Sequence, residues 1–368
     1  MTKLQTVLGL MSGTSLDGID VAAIETDGKE IIRGLGQLFI PYDETARSVL
    51  QVALEACQNA KQSDWESPDT WPESVCRADL LVTEAHIDAI ARFRESFELD
   101  FTLIGFHGQT VLHQPEVGIT IQIGDPQRLA QATDCAVVGQ FRLADIANGG
   151  QGAPLAPLFH VARSQDQSGP FGVLNIGGVA NITLLDETGK ICAFDTGPGN
   201  ALLDDWVSAK TGLAYDVGGT LARSGRVDEA ALRKLLSHAF FDRVPPKSLD
   251  RLAFDPAPIA ALAPEDGAAT LTAFTAEAVA RGLDMAGHAP EKLIVCGGGR
   301  HNCALMEALQ KRTSVIVQNC DELGWAGDSL EAEAFGWLAV RHCLSLPTSI
   351  PETTGVASPT VGGRKYNP

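Results

Sequence analysis

The segment SGTSLDG, residues 12–18, combines two glycines, three hydroxyl side chains and one carboxylate. A turn of this composition lets backbone N–H groups converge on phosphate oxygens, because glycine leaves room for a close approach. The carboxylate of Asp17 suits Mg²⁺, which prefers oxygen ligands and retains water. The same residues also suit a tight hairpin in which Asp17 only forms the turn, so the segment by itself leaves both interpretations open.

Glycine-containing turns follow or adjoin four predicted strands, and the set is more specific than any one turn. Turns of this kind at strand ends indicate a nucleotide bound between two lobes. The turns contain neither GxxxxGK[ST] nor a GxGxxG that opens a helix, so neither a P-loop nor a Rossmann site is supported. The glycines are Gly13 and Gly18, Gly177 and Gly178, Gly197 and Gly199, and Gly297, Gly298 and Gly299.

Asp195 ends a strand predicted at 191–195 and precedes Gly197, Gly199 and a helix that begins near Asn200. A carboxylate at the tip of a strand beside a helix N-terminus lies where a bound phosphate would sit. We therefore expect Asp195 to be a general base that deprotonates an acceptor aimed at a γ-phosphate. The alternative is that Asp195 only caps the turn.

Two central segments, residues 105–110 and 145–154, are rich in polar side chains and glycine. This composition is unlike a protein core and is typical of loops that face a ligand. His107 fits either such a loop or a buried, hydrogen-bonded position. The side chains expected to reach hydroxyl or carboxylate groups are Gln109, Thr110, Arg142 and Gln151.

Two stretches of the chain repeat one pattern of strand, glycine turn, strand, hairpin and strand. The first has strands predicted at 5–11, 19–25 and 31–40, and the second at 172–176, 181–185 and 191–195. Each stretch predicts a three-stranded antiparallel meander, and the repetition indicates a duplicated unit.

Helical and strand patterns alternate along the rest of the chain, which predicts an α/β fold with sheets covered on both faces. Helices are predicted at 84–97, 200–211, 228–241, 269–286 and 329–345, and further strands at 102–106 and 292–296. We expect two lobes, the first from residues 1–139 with 329–368 and the second from residues 140–328.

The composition limits the partners of the chain. Its 28 basic and 46 acidic side chains give a formal charge of −18, which disfavours nucleic acid and anionic lipid in the absence of a basic cluster. No apolar run reaches the ~18 residues of a membrane span, and the apolar start at residues 6–11 is too short for a signal peptide. We therefore expect a cytoplasmic protein without a membrane partner. The eight cysteines form no CxxC pair, which favours reduced, buried thiols.

Seven segments occur in the order GLMSGTSLDGID, GFHGQTVLHQP, IQIGDPQRLA, GGQGAPLAPLFH, LNIGGVANITLL, FDTGPGNALLDDW and VCGGGRHNCALM. They resemble the anhydro-N-acetylmuramic acid kinases, which belong to the hexokinase, Hsp70 and actin superfamily of two-lobed ATP-binding folds. The resemblance extends over nearly the full chain. It implies an actin-like ATPase fold, of the ribonuclease H-like type, with a duplicated β-meander core and a nucleotide cleft between lobes.

The resemblance also implies an activity, in which ATP, water and 1,6-anhydro-N-acetylmuramic acid give N-acetylmuramic acid 6-phosphate and ADP during bacterial cell-wall recycling. ATP and Mg²⁺ are the implied cofactors, Asp195 is the implied catalytic base, and a homodimer is suggested by the family alone. The implied sugar-binding residues are Gln109, Thr110, Arg142 and Glu331, and Arg142 is the candidate for the lactyl carboxylate. The implied nucleotide-binding residues are Gly13, Thr14, Ser15, Leu16, Asp17, Gly18, Ile19, Asp20, Gly177, Gly178, Gly197, Gly297, Gly298 and Asn302, with Asp17 also as the metal ligand.

Two places depart from the family pattern. Gln140 stands where many members carry Asp, and residues 247–251 read KSLDR where KSTGR is usual. These departures affect local substrate or loop contacts and leave the phosphate turn and Asp195 unchanged. Two alternative functions stay open: a kinase of another sugar or polyol, in which Asp195 deprotonates a hydroxyl group, and an ATP-driven clamp that transfers no phosphate to sugar.

Overall fold

The computed structural model describes residues 3–13, 15–59, 70–167, 169–249, 253–287 and 289–368. The strands are β1 (Gln5–Ser12), β2 (Gly18–Thr26), β3 (Ile32–Pro41), β4 (Leu103–Gln114), β5 (Ile119–Ile123), β6 (Ala136–Gly139), β7 (Phe171–Ile176), β8 (Val179–Leu185), β9 (Ile191–Pro198), β10 (Lys292–Cys296), β11 (Ile316–Asn319) and β12 (Arg364–Tyr366). The helices are α1 (Glu44–Asn59), α2 (Glu73–Ser96), α3 (Pro126–Thr133), α4 (Leu143–Ala147), α5 (Pro157–Arg163), α6 (Ala201–Thr211), α7 (Thr220–Ser224), α8 (Glu229–Leu235), α9 (Pro264–Ala286), α10 (Cys303–Thr313), α11 (Leu330–Cys343) and α12 (Pro351–Thr354).

The first sheet is built on three antiparallel strands joined by short turns. Strand β1 pairs with β2 and β2 with β3, which confirms the first predicted meander. On the other side of β1, strands β4 and β6 follow in parallel orientation. The strand order is β12-β6-β4-β1-β2-β3, and β5 pairs with β4.

The second sheet repeats this arrangement. Strands β7, β8 and β9 form the second antiparallel meander, as predicted, and β10 and β11 lie parallel beside β7. The order β11-β10-β7-β8-β9 matches β6-β4-β1-β2-β3 of the first sheet, with parallel strands next to the first strand of each meander. The duplication indicated by the sequence is therefore present in the topology of the described residues.

The chain divides into two compact units, residues 1–165 with 329–368 and residues 166–328. The second crossing, before residue 329, lies where the sequence placed it. The first crossing lies after residue 165 instead of after residue 139.

Residues 140–165 belong with the first unit because their polar groups form hydrogen bonds, and their apolar side chains pack, with residues of the C-terminal segment 329–368. The Gln151 N–H donates to the Thr354 carbonyl (2.8 Å), and the Thr354 hydroxyl donates to the buried carboxylate of Asp145 (2.6 Å). The Phe159 ring on α5 packs edge-on against the Trp337 ring on α11, with centroids 6.0 Å apart. These long-range contacts are not visible in a local sequence pattern.

Helix α11 packs against the first sheet at backbone distance. A Cβ atom at Gly9 of β1 would overlap the Ala332 carbonyl, and one at Gly105 of β4 would overlap the Phe335 carbonyl. The helix is buried on nearly every side from Ala332 to Val340, which fits its apolar sequence. The predicted helix at 329–345 is thus confirmed as a core element of the first unit.

Helix α9 plays the corresponding part in the second unit. A Cβ atom at Gly197 of β9 would lie 2.7 Å from the Ala278 Cβ, and one at Gly282 of α9 would lie 3.1 Å from the Thr196 Cγ2. Apolar side chains of α9 and of strands β7 to β10, Val279 and Phe194 among them, form one buried cluster beneath it. Close helix-on-strand packing therefore supports both sheets.

Several element boundaries differ from the prediction. Helix α2 begins at Glu73, well before the predicted start at 84. Its first turns bury only Val75, Ala78 and Val82, so they carry a weaker apolar pattern than the later turns. The helix predicted at 228–241 ends at Leu235, since His238 is extended and its ring accepts the Phe240 N–H (3.2 Å), which begins a separate short turn. Among the described residues, every helix is too short or too polar to cross a bilayer.

Candidate functional site

The predicted phosphate turn lies at the carboxyl end of β1. The Leu16 N–H donates to the Gly13 carbonyl (3.2 Å), and Leu16 adopts a left-handed φ of 57° that turns its side chain into the core. The Ser12 hydroxyl donates to the Gly108 carbonyl (3.2 Å), which ties the turn to β4. Thr14 lies outside the described residues.

Asp17 is exposed at the end of this turn. Its Oδ1 accepts the Ser15 hydroxyl (2.8 Å) and the Gly18 N–H (3.0 Å), and its carbonyl accepts the Tyr42 N–H (2.9 Å). These bonds are those of a turn-forming aspartate, and they leave the carboxylate on the surface. The turn-forming and ligand-binding interpretations of Asp17 are therefore compatible.

Two of the implied phosphate-binding residues have their side chains in the core. Leu16 and Ile19 belong to the buried cluster of the first unit, so only their backbone atoms are available to a ligand. Asp20 lies on β2 opposite Met11. Buried side chains at Leu16 and Ile19 are compatible with the expectation that this turn binds phosphate through backbone N–H groups.

Gln109 is fully buried where β4 passes the end of β1, opposite Ser12. Its Nε2 donates to the Thr110 carbonyl (3.3 Å), whereas its Oε1 has no hydrogen-bond partner among the described residues. The Thr110 hydroxyl accepts the Gln122 amide (3.3 Å). A buried acceptor without a partner is costly, and a ligand hydroxyl is a suitable donor for it.

Arg142 follows the end of β6 and is held by two acceptors. Its Nε and Nη2 donate to the His107 Nε2 (3.3 and 2.8 Å), and its Nη1 donates to the Gly152 carbonyl (2.7 Å). His107 is buried, which favours the interpretation of this residue as a buried, hydrogen-bonded histidine over that of a residue in a ligand-facing loop. The parallel strands β1, β4 and β6 thus bring the phosphate turn, Gln109 and Arg142 to one edge of the sheet.

Gln140 turns the chain between β6 and Arg142. It adopts a φ of 58°, in the left-handed region that Asp and Asn tolerate better than Gln. The departure at this position therefore lies in a turn that sets the direction of the following residues.

Glu331 lies in the first turn of α11 and completes the polar set of the first unit. Burial raises the pKa of its carboxyl group, while the Arg142 guanidinium lowers it and Asp17 raises it. These three groups are therefore within electrostatic reach of one another. The structure brings together Asp17, Arg142 and Glu331, which lie more than a hundred residues apart in the sequence.

A second carboxyl group of α11, Glu333, was missed by the sequence analysis. It is 2% exposed, its Oε2 lies 3.7 Å from the Arg163 Nε, and burial raises its pKa from 4.5 to about 7. Its only sequence signal is an acidic residue inside an otherwise apolar helix. It belongs to a different side of α11 from Glu331, because residues two apart on a helix face different ways.

In the second unit, three predicted glycine loops meet at the carboxyl ends of β7 and β10. The Asn200 N–H donates to the Gly177 carbonyl (2.8 Å), and the Gly199 N–H donates to the Gly178 carbonyl (3.0 Å). A Cβ atom at Gly297 would lie 2.7 Å from the Ile176 carbonyl oxygen. The predicted grouping of these loops is thus observed within this unit.

Four glycines, one in the phosphate turn of the first unit and three in the loops of the second, have room for a Cβ atom. Outside the left-handed region of φ, nearly all other described glycines would bring an added Cβ to within 3.4 Å of a neighbouring atom. At the four exceptions the nearest atom would lie 3.5 to 3.8 Å away. They are Gly13, Gly177, Gly178 and Gly298. Open space beside an ordinary backbone conformation indicates close approach by something other than the protein.

Asp195 lies within β9 and not at its tip. Pairing with β8 continues beyond it to Pro198, past an irregularity at Ala180, and α6 begins only at Ala201. The strand therefore extends three residues beyond its predicted end at 195, whereas α6, with its N-cap at Asn200, begins where the sequence predicted. The Asp195 Oδ2 accepts the Leu249 N–H (2.7 Å), and its own N–H donates to the Lys247 carbonyl (2.9 Å).

Lys247 places a positive charge close to this carboxylate. Its side chain is buried, its Nζ donates to the Phe240 carbonyl (3.3 Å) and it lies 4.4 Å from the Phe240 ring centroid. Burial lowers the pKa of Lys247, and Asp195 opposes that shift. The segment noted for its sequence departure thus supplies contacts to Asp195, while Asp250 and Arg251 lie outside the described residues.

Asn302 and Arg300 follow the glycines after β10. The Asn302 Oδ1 accepts the Leu305 N–H (3.0 Å) and so caps α10. Arg300, which the sequence analysis did not single out, is buried and donates to the carboxylates of Asp321 and Asp328 and to the Gly297 carbonyl. The loop is therefore fixed by an internal ion pair network.

The donor set for a metal is small. No group of three or more His, Cys, Asp or Glu side chains that could hold a metal ion occurs among the described residues. Mg²⁺ on a phosphate substrate commonly uses one or two carboxylates, with phosphate oxygens and water completing its octahedron. A single exposed carboxylate such as Asp17 fits that mode of binding.

Comparison with known proteins gives matches over the full chain. The sequence model of the family described as anhydro-N-acetylmuramic acid kinase matches residues 5–368. The anhydro-N-acetylmuramic acid kinase of Rhodopseudomonas palustris (strain BisB18) is 47% identical over 371 residues, which cover 99% of this chain and 100% of the relative. The protein of the same name from Zymomonas mobilis is 46% identical over 363 residues, covering 97% and 98%.

Similarity to solved structures is lower. The component A of (R)-2-hydroxyglutaryl-CoA dehydratase from Acidaminococcus fermentans is 10% identical with a TM-score of 0.47, and the match covers 92% of this chain and 99% of that one.

The buried carboxyl group of Glu333 predicts a pH-dependent stability. Because its pKa is raised in the folded state, its stabilising effect is complete below pH 4.5 and is lost as pH rises through about 7. Glu333→Gln keeps the size and shape of the side chain and removes its titratable carboxyl group. We expect the free energy of unfolding of the variant, relative to the wild type, to rise by about 3 kcal/mol between pH 4.5 and 8.

Urea unfolding at pH 4.5, 5.5, 6.5 and 8 measures this difference. Glu116→Gln is the matched control, since its carboxylate is exposed, and it is expected to give a difference that does not change with pH. A constant difference for Glu333→Gln as well would contradict the assignment.

Proposed function

Because the chain belongs to the anhydro-N-acetylmuramic acid kinase family, we propose that it opens 1,6-anhydro-N-acetylmuramic acid with water while transferring the γ-phosphate of ATP to O6. The products are N-acetylmuramic acid 6-phosphate and ADP. The chain is a kinase, and its substrate is a small sugar. The full-length family match carries this conclusion, and the chemistry of the two polar sets supports it.

The open glycines support the proposed nucleotide contacts. Gly13 in the first unit, and Gly177, Gly178 and Gly298 in the second, each leave space beside an accessible backbone. We assign the turn from Gly13 to Asp20 to the phosphates through its backbone N–H groups. Asp17 would hold Mg²⁺, which when bound offsets negative charge on the transferred phosphoryl group.

Asp195 is proposed as the base that takes a proton from water as the water attacks C1. The C1–O6 bond breaks as the water oxygen bonds to C1, and O6 bonds to the γ-phosphorus of ATP as the bond from that phosphorus to ADP breaks. Hydrolysis of a sugar with a single carboxylate normally lacks an acid for the leaving oxygen. Here that oxygen bonds to phosphorus, so one base is sufficient. Lys247 is close enough to interact electrostatically with this carboxylate.

The polar set of the first unit is proposed to bind the sugar. The orphaned Oε1 of Gln109 accepts a sugar hydroxyl, and Thr110 lies next to it on β4. The Arg142 guanidinium is suited to the lactyl carboxylate, because planar paired donors match a carboxylate. Glu331, beside Arg142, contributes an acceptor for a neighbouring hydroxyl.

The reaction is tested by Mg²⁺-dependent ADP release. We expect release with 1,6-anhydro-N-acetylmuramic acid and none with N-acetylmuramic acid, N-acetylglucosamine or no sugar. Release with a reducing sugar would identify an ordinary sugar kinase, and release without sugar would identify an ATP-driven clamp. Either result contradicts the proposal.

Asp195→Asn tests the base. Asn keeps an acceptor for the Leu249 N–H and removes the negative charge, so folding is expected to be preserved. We expect kcat to fall by about 10²- to 10⁴-fold, the usual contribution of a general base, while ATP affinity changes by only a few fold. The control is Asp186→Asn on the exposed β8–β9 turn, expected to keep full turnover. Retained turnover in Asp195→Asn would refute the role.

Gly13→Ala tests the phosphate turn. The added methyl group meets no atom of the protein within 3.5 Å, so thermal stability is expected to stay unchanged. The KM for ATP is expected to rise at least about tenfold, since hydrogen bonds to a charged group are lost. Gly9→Ala is the opposite control: it overlaps the Ala332 carbonyl and is expected to lose about 1–3 kcal/mol of stability. Unchanged ATP saturation in Gly13→Ala would place the phosphates elsewhere.

A further inference from the structure

His107 links the phosphate turn to Arg142 within the first unit. Its Nδ1 lies 2.7 Å from the Gly108 carbonyl, and its Nε2 lies 2.8 and 3.3 Å from two nitrogens of Arg142. The ring packs against Phe335 of α11 with centroids 4.5 Å apart, and the residue is 5% exposed. The imidazole is therefore fixed by one bond at Nδ1, by two bonds from Arg142 at Nε2 and by packing against Phe335.

The partners of His107 define its tautomer. A carbonyl oxygen can only accept, so Nδ1 carries the hydrogen and donates to Gly108, and Nε2 is left as an acceptor for the guanidinium. The same Gly108 carbonyl accepts the Ser12 hydroxyl at the end of β1. Burial lowers the pKa of His107 well below its ordinary value, and Arg142 acts in the same direction, with smaller effects of His86 and His113. Its neighbours thus keep the imidazole neutral.

The Arg142 side chain is consequently oriented by two rigid acceptors. His107 accepts from Nε and Nη2 on one edge of the guanidinium, and the Gly152 carbonyl accepts from Nη1. An arginine on a loop would otherwise lose rotamer freedom when it binds an anion. Orientation in advance reduces that cost, so the acceptor on His107 affects how well Arg142 binds a carboxylate.

We propose that His107 is a positioning residue that orients Arg142 to bind the lactyl carboxylate of the sugar substrate. The inference rests on the proposed function, since it assigns the anionic group of that substrate to Arg142. This role differs from that of the residues that act on the phosphate or on the anhydro bridge. Its effect should therefore depend on the presence of the carboxylate in the substrate.

The test compares two substrates, 1,6-anhydro-N-acetylmuramic acid and 1,6-anhydro-N-acetylglucosamine, which is the same bicyclic sugar without the lactyl group. In His107→Leu we expect KM for the first sugar to rise by about ten- to a hundredfold, the scale of a hydrogen bond to a charged group. The KM for the second sugar, and kcat for both, are expected to change less than threefold. Thermal melting establishes that each variant is folded.

Two further substitutions separate orientation from packing. His107→Gln places an acceptor near the position of Nε2 and is expected to restore KM to within threefold of the wild type. His107→Asn reaches only the position of Nδ1 and is expected to behave as His107→Leu does, which keeps the test available if the leucine variant fails to fold. His86→Leu is the matched control, because His86 is also fully buried and bonded to a backbone carbonyl, at Val82 (2.7 Å), and packs on Phe106. It is expected to leave the ratio of the two KM values unchanged.

An equal rise in KM for both sugars in His107→Leu or His107→Asn would overturn the inference while leaving the proposed function intact. Failure of His107→Gln to recover would also overturn it. Absence of ADP release by the wild type with 1,6-anhydro-N-acetylmuramic acid would instead overturn the proposed function and this inference together.

Discussion

The backbone-to-backbone packing of α11 on β1 and β4 is the constraint on which the first unit depends. It requires that Gly9 and Gly105 have no side chain, because the carbonyl groups of Ala332 and Phe335 occupy that space. The contact fixes the start of α11 beside the ends of two parallel strands. Glu331 is thereby brought near Asp17 and Arg142, and Phe335 forms one wall for His107. The proximity of Asp17, Arg142 and Glu331 is thus a consequence of the close backbone packing of α11 on the sheet.

The described glycines outside the left-handed region of φ consequently divide into two physical kinds. One kind, which includes Gly9, Gly105 and Gly197, is excluded from having a side chain by neighbouring protein atoms. The other kind, Gly13, Gly177, Gly178 and Gly298, would accept a Cβ atom at ordinary contact distances of 3.5 to 3.8 Å. Both units place the second kind at the carboxyl ends of the first meander strand or of the parallel strand beside it. The duplicated topology therefore provides two comparable loop sets, one in each unit.

Local patterns were sufficient for the two meanders, because alternating apolar residues and glycine turns specify antiparallel strands without distant information. They were insufficient for Asp195, since β9 continues to pair with β8 to Pro198 past a register shift in which Thr196 is the extra residue of β9. The pair of His107 and Arg142 is likewise absent from any local pattern, because it forms only when β4 and β6 lie parallel. The contact between Gly9 and α11 is also absent from any local sequence pattern. Residue types in the site could be predicted, whereas their partners could not.

The charge of the chain makes these fixed partners important. A formal charge of −18 opposes the approach of ATP and of an anionic sugar, and the exposed Asp17 and the partly buried Glu331 add negative charge locally. Salt screens charges beyond about 8 Å at physiological ionic strength, so the interactions that decide binding are those made at hydrogen-bond distance. Arg300 is neutralised by Asp321 and Asp328, so the proposed function relies on backbone N–H groups to bind phosphate and on Arg142 to bind the carboxylate. Binding of anions by so acidic a protein therefore depends on donors that are already oriented, and in the first unit His107 and the Gly152 carbonyl provide that orientation.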